Sequence, residues 1–337
     1  MATTIEMHKL ADNLQICRIL NGMWQVSGSH GSINMMTALN EMIKYHDCGF
    51  TSWDMADIYG PAEMLFGRFN DVLASRNDVE TTKLTGLTKF VPHPVTMTKR
   101  LVENAVRRSL QRMHVSILDL IQFHWWDYQN SSYLDALRHL DDLKHAGLLR
   151  HLGLTNFDTQ RMQEISDAGL RFVSNQVQYS ILDQRPAVQM EQFCKKNKVG
   201  LLAYGTLAGG FFSEKYLGRP EPSWSDLNTA SLQKYKHIID VWGGWDLFQQ
   251  LLRTLSIIAK KHGVSIANVA TRYILDKPHV SGVIIGARLG ISEHITDNAK
   301  TFDFQLNPDD QAQIDEFSAL SNNLFDLIGD CGDEYRN

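Results

Sequence analysis

Gly49-Phe50-Thr51-Ser52-Trp53-Asp54-Met55-Ala56-Asp57-Ile58-Tyr59-Gly60 begins as an apolar, strand-like run, closes that run on a carboxylate, and sets a tyrosine in a Gly-Pro turn five residues later. A strand that served only a core would have no use for these groups, so the stretch reads as a strand delivering polar side chains to a rim. Outward from it, short apolar runs alternate with longer amphipathic ones. The strand candidates are 50–54, 84–89, 117–124, 151–155, 172–176, 200–204 and 280–285, too short and too apolar for helices, with an eighth near 16–20. Helix-period segments lie between them at 37–48, 62–74, 97–113, 133–146, 158–168, 185–198 and 291–299, and 248–277 gives two helices broken at His262-Gly263-Val264. Repeated strand–helix units over an undivided chain of 337 residues predict an α/β fold, a (β/α)8 TIM barrel forming a single domain over 1–337, with a long loop after the seventh strand (211–246) and a C-terminal helix. No G-x-G-x-x-G follows a strand, which argues against an open dinucleotide-binding sheet.

Composition narrows the function classes. With 33 basic against 38 acidic residues, a net charge of -5 and no long basic run, neither nucleic acid nor an anionic membrane is the expected partner. Cys17, Cys48, Cys194 and Cys331 form no C-x-x-C and no regular framework, which suits a reducing compartment. The N-terminus has no basic-then-apolar leader pattern and no apolar run is long enough to span a bilayer, so the expectation is a cytoplasmic protein, monomeric or weakly associating. None of the 13 histidines falls in an H-x-H or H-E-x-x-H pattern, so no metal is expected.

Barrel active sites lie at the carboxyl ends of the strands. Polar residues gather there: Asp54, Lys89, His124, Thr155-Asn156, Asn175-Gln176 and Tyr204-Gly205-Thr206 end or follow successive strand candidates.

The run from Asp54 through Tyr59-Gly60-Pro61-Ala62-Glu63 to Gly67 resembles the signature of the aldo-keto reductase family. Leu118-Asp119-Leu120-Ile121-Gln122-Phe123-His124-Trp125 resembles that family's histidine strand, Leu152-Gly153-Leu154-Thr155-Asn156-Phe157 its cofactor strand, and Ser174-Asn175-Gln176-Val177-Gln178-Tyr179 follows in the family's order. The likeness covers roughly residues 15–320. It implies reduction of a small-molecule aldehyde or ketone by hydride transfer from a nicotinamide cofactor, with an Asp54, Tyr59, Lys89, His124 tetrad. Hydride addition leaves charge on the carbonyl oxygen, and Tyr59 would be the general acid that neutralises it. A nearby ammonium lowers a phenol's pKa from about 10, which would be the part of Lys89, with Asp54 holding the lysine and His124 orienting and polarising the oxygen. Lys83 is the other family-like Thr-Lys; Lys89 is preferred because it ends a strand candidate. Asp57 reads as a loop or capping residue, and Glu63 as the negative first-turn residue of a helix.

By the same resemblance Thr155, Asn156 and Gln176 would hold the nicotinamide carboxamide and Tyr204 would stack on the ring. Gly205, Thr206, Leu207 and Gly209 after one strand, and Gly286, Arg288, His294 and Asn298 after the next, would take the phosphates. Many family members carry a Lys-Ser there to grip a 2′-phosphate; this chain has Arg288 instead, so NADPH is expected and NADH stays in play. Trp24, Trp125 and Trp126 are the expected substrate walls, and 211–246 the expected cover. The alternative to an enzyme is a cofactor-sensing regulatory subunit with little turnover.

Overall fold

The computed structural model describes residues 4–28, 33–76 and 84–336. Its ten strands are β1 (Met7–Ala11), β2 (Leu14–Cys17), β3 (Ile19–Gly22), β4 (Ser52–Asp54), β5 (Thr85–Phe90), β6 (Leu118–His124), β7 (Leu149–Thr155), β8 (Ser174–Gln178), β9 (Gly200–Tyr204) and β10 (Val280–Gly286). The last eight close into one parallel barrel in chain order, β10 pairing β3, as the alternation of runs predicts. Lys83 lies outside the described residues.

Side chains alternate between the two faces of a strand, so one pleat period decides what fills the barrel. Leu20, Leu87, Leu120 and Leu202 form a buried layer with Leu14 and Ile16 of the β1–β2 hairpin, which plugs the amino-terminal end. Two residues further along their strands stand Lys89, Gln122 and Tyr204, so the interior turns from leucine to polar within a single period. Outside, amphipathic helices cover the strands. Lys99–Met113 buries Val102, Ala105, Val106, Leu110 and Met113, a 3.6-residue stripe, and starts where the Thr98 side chain accepts the Leu101 N–H.

Four segments differ from the sequence reading. The run 16–20 is broken at Arg18, whose guanidinium bonds the carbonyls of Leu275 and Val280, so β2 serves the hairpin and β3 the barrel. The helix expected over 185–198 is two, Arg185–Val188 and Met190–Asn197, parted at Gln189. The helix expected from 291 begins at Ile295. The stretch 211–246 holds a helix, Ala230–Trp242, anchored by buried Tyr235, Ile238, Ile239 and Trp242. The C-terminal helix Pro308–Leu320 starts at a reciprocal Asn307–Asp310 capping box. A short helix, Leu324–Ile328, follows, and the chain then returns to the barrel mouth. No helix among the described residues is long and apolar enough to cross a membrane.

Candidate active site

Strand register brings together groups far apart in the chain. Asp54 pairs in register with Leu87, Lys89 with Gln122, His124 with Thr155, and Thr155 with Gln176. The Lys89 ammonium lies 2.5 Å from Asp54 Oδ2 and donates to the Met55 carbonyl at 3.0 Å. Asp54 Oδ1 accepts the side-chain amides of Gln122 at 2.9 Å and Gln176 at 2.8 Å. Gln176 also donates to Gln122 Oε1 at 2.8 Å, so its amide nitrogen belongs to this network. All four side chains are buried. Burial pushes the lysine below its ordinary value and the Asp54 charge opposes that shift.

Tyr59 follows in a turn, its N–H bonding the Ala56 carbonyl, with its half-buried ring centroid 5.1 Å from the Lys89 ammonium. Desolvation, then the Asp54 carboxylate, pushes the phenol well above 10. Desolvation outweighs whatever lowering the Lys89 ammonium exerts, so the phenol lies above its ordinary value and not below it as the sequence suggested. His124 Nδ1 lies 3.1 Å from the Thr155 carbonyl oxygen, which can only accept, so Nδ1 carries the proton. Burial pushes this imidazole down to about 4, and Nε2 is buried without a partner. A neutral ring in this tautomer presents a lone pair at Nε2, so it accepts from a hydroxyl rather than donating to a carbonyl as the sequence suggested.

On the cofactor side, the Thr155 hydroxyl is buried and unpartnered, and Asn156 sits in the left-handed region at φ 57. Tyr204 donates to Asn156 Oδ1 at 2.9 Å, which leaves the Asn156 amide nitrogen for a ligand. Gly205 is left-handed at φ 75, and a Cβ there would come 2.3 Å from the Tyr235 hydroxyl. Gly209 is left-handed too, with Ser231 O 2.9 Å from a Cβ position. The Thr206 hydroxyl is spent on the Tyr179 carbonyl, and Leu207 is half-buried. At Gly286 a Cβ would strike Gln25. Arg288 and His294 are exposed beyond β10, and Asn298 is buried on the helix Ile295–Lys300. Asp57 accepts the Val91 N–H, and burial with the Glu63 charge raises it to about 6. Glu63 lies in the first helical turn, accepts from Thr88 at 2.7 Å and pairs with Arg112 at 3.3 Å.

Of the three tryptophans, Trp126 meets the His124 ring edge-on at 4.3 Å and is partly exposed, and Trp24 is half-buried after β3. Trp125 is not a substrate wall. One residue past His124 it faces the other way, fully buried, stacked on Phe123, its N–H held by the carbonyls of Asp127 and Asn130.

The mouth also holds residues the sequence did not flag. Tyr335 packs edge-on against His124 at 6.0 Å and Trp126 at 6.3 Å, and its hydroxyl is 3.0 Å from that of Tyr204. Because Tyr204 gives its proton to Asn156, the Tyr335 hydroxyl donates to Tyr204. Arg185, buried, holds both oxygens of Asp183 and also Glu334 at 3.0 Å, tying the tail down beside Tyr335. Gln122 could have been found, since it precedes His124 by one pleat period. Tyr335 carries no local signal.

Comparison with known proteins fits this arrangement. The family model described as "Aldo/keto reductase family" matches residues 18–319. The chain is 27% identical to the chloroplastic pyridoxal reductase of Arabidopsis thaliana over 79% of this chain and 72% of that one. It is 31% identical to flagellar radial spoke protein 5 of Chlamydomonas reinhardtii over 47% of this chain, a match spanning only 33% of that longer protein. A solved Bombyx mori aldo-keto reductase in complex with NADP shares the fold at a TM-score of 0.70, with 21% identity and 94% of each chain covered. A barrel with its polar groups gathered at the carboxyl rim, matched by that family model from β3 almost to the end of the last long helix, makes this chain a member of the aldo/keto reductase family.

Proposed function

We propose that the chain reduces aldehyde or ketone carbonyls to alcohols with NADPH, Tyr59 acting as general acid. The observation that carries this reading is the buried Asp54–Lys89 pair beneath Tyr59, with an unpartnered His124 Nε2 in the same mouth. The residues present fit a nicotinamide cofactor: Thr155 offers an orphaned hydroxyl, Asn156 an amide nitrogen and Tyr204 a ring, while the close approach at Gly205 and Gly209 is taken by Tyr235 and Ser231. Exposed Arg288 would meet a 2′-phosphate, and the NADP complex of the Bombyx mori relative is consistent with that choice over NAD.

When bound, the cofactor supplies the hydride. The chain supplies the proton. Burial keeps Tyr59 protonated at neutral pH, so it can give its hydrogen to the carbonyl oxygen as negative charge develops there. The tyrosinate left behind lies beside the Lys89 ammonium and is reprotonated from solvent. His124 Nε2 then accepts the hydrogen bond of the new hydroxyl and holds the alcohol in place. The helix Ala230–Trp242 packs its Tyr235 and Ser231 over Gly205 and Gly209, which supports a covering role for this segment above the cofactor.

Replacing Tyr59 by Phe tests the assignment. Turnover on a panel of carbonyls, followed by loss of NADPH absorbance, should fall about 10²–10⁴-fold, while the NADPH dissociation constant from fluorescence titration changes little. Near-normal turnover in Tyr59→Phe removes the tyrosine from its role. The same panel run with NADH settles the cofactor.

A further inference from the structure

Tyr59 stands in a turn beyond the end of β4, so strand register does not set its place beside Lys89. Strand β5 and the residue after it hold that turn from one side. The Asp57 N–H bonds the Lys89 carbonyl at 3.0 Å, Asp57 Oδ1 accepts the Val91 N–H at 3.2 Å, and the Thr88 hydroxyl donates to Glu63 Oε1 at 2.7 Å. Arg112 holds it from the other. This residue lies half-buried in the last turn of the helix Lys99–Met113, where a cation suits the helix dipole, yet its hydrogen bonds leave that helix. Its Nη1 donates both to the Asp57 carbonyl at 3.1 Å and to Glu63 Oε2 at 3.3 Å. One nitrogen thus joins the residues on either side of Tyr59.

The two joints lie at the ends of the turn. Asp57 precedes the tyrosine, and Glu63 opens the helix Ala62–Ala74 that follows it, where the Ala62 N–H returns to the Tyr59 carbonyl at 3.1 Å. Glu63 is buried, and each of its oxygens has one partner, Thr88 on Oε1 and Arg112 on Oε2. A charge-assisted bond to a buried carboxylate fixes the guanidinium, so Arg112 is a post for the turn and not a free surface group. The same Thr88 and Lys89 that meet this frame are neighbours on β5, so the frame and the ammonium move as one piece. We propose that Arg112 is a positioning residue for Tyr59: by tying the Asp57 carbonyl to Glu63 it fixes the phenol relative to Lys89 and to the carbonyl it protonates. The inference rests on the carbonyl-reductase reading. Proton transfer needs heavy atoms within hydrogen-bond reach, about 2.6–3.2 Å, and a misplacement of about 1 Å costs on the order of 10²-fold in rate.

Arg112→Met releases the Asp57 carbonyl and should lower kcat about 10- to 10²-fold, while KM and the NADPH dissociation constant stay within about twofold, because proton transfer suffers and ground-state binding does not. Turnover is counted per titrated NADPH site, so unfolded protein does not enter. Arg112→Lys, still able to reach one acceptor, should recover part of kcat. Because Arg112→Met strands the buried Glu63 charge, Arg112→Met/Glu63→Gln is measured beside it. Glutamine keeps an oxygen for Thr88, so this double variant should fold and remain slow, its Asp57 carbonyl still free. Arg107→Met, on the same helix and paired with Glu103, should leave kcat unchanged. Amide exchange by mass spectrometry over 55–61 reads the clamp without turnover and should quicken in Arg112→Met. If wild type reduces no carbonyl but exchange quickens, the clamp stands and the reductase reading falls. A kcat unchanged in Arg112→Met or restored in the double variant overturns the proposal. So does a loss carried wholly by KM or NADPH binding, or exchange over 55–61 that does not change.

Discussion

Replacing Lys89 by methionine removes the charge and keeps most of the side-chain volume. In the native site both members of the pair are about as buried as side chains can be, Lys89 at 3% and Asp54 at 3% exposure, with 2.5 Å between their charged atoms. The variant leaves Asp54 Oδ2 without a donor, while Oδ1 keeps the Gln122 and Gln176 amides. Breaking a buried pair by removing one partner costs about 3–5 kcal/mol, and the two surviving amide bonds put this case at the lower end, about 3 kcal/mol. At roughly 2.1 cal/mol/K per residue, 337 residues have an unfolding entropy of about 0.7 kcal/mol/K, so the expected drop in Tm is about 4 °C. Adding Asp54→Asn removes the stranded charge, and the double variant should recover about 2 kcal/mol relative to the sum of the singles. Scanning calorimetry on the four proteins checks this. Additive losses would refute the claim that the pair is an electrostatic unit.

Other consequences are as direct. His124 has its pKa depressed from 6.5 to about 4, chiefly by burial, so the native state loses stability as pH falls from about 6.5 towards about 4, by about 3 kcal/mol in all. His124→Gln should flatten that limb in urea melts taken across the range, and parallel curves for the two proteins would remove the assignment. Gly205→Ala should destabilise twice over, by about 1–2 kcal/mol for its left-handed backbone and further for the meeting of its Cβ with Tyr235. Tyr235→Ala in the same chain should restore the second part and not the first, as read from thermal melts of the two single variants and the pair.

The sequence carries much of this site because two of its rules are local. A pleat period of two fixes which residues of a strand share a face, and Asp54, Lys89 and His124 stand at strand ends in a barrel whose mouth collects them. The same rule contains the error over Trp125, since a residue adjacent to an inward His124 must turn outward, where it packs on Phe123. It also contains Gln122, unremarked in the sequence although it alternates with His124. Protonation states were less legible. The shift of Tyr59 depends first on how far burial strips water from its hydroxyl and then on the Asp54 charge, and neither is a property of a motif. Lys234 and Tyr335 are further still from any local pattern. They meet across 101 residues, and only the folded course of the tail and of the segment after β9 sets one against the other.

These contacts give the mouth a defined electrical balance. Asp54 and Lys89 cancel, and burial holds Tyr59 and His124 neutral, so these four side chains together carry no net charge. In the proposed reaction hydride addition would place a negative charge on the carbonyl oxygen, and Tyr59 would take it over in giving up its proton. The Lys89 ammonium is the cation beside that ring, and its pull on the tyrosinate is only as strong as Asp54 leaves it. The amides of Gln122 and Gln176 both fall on Asp54 Oδ1, the oxygen away from the lysine. By drawing carboxylate charge towards themselves they leave more of the ammonium's field for Tyr59. On the proposed mechanism the two glutamines would therefore act on proton transfer without touching the substrate, through how much of one buried carboxylate the lysine still faces.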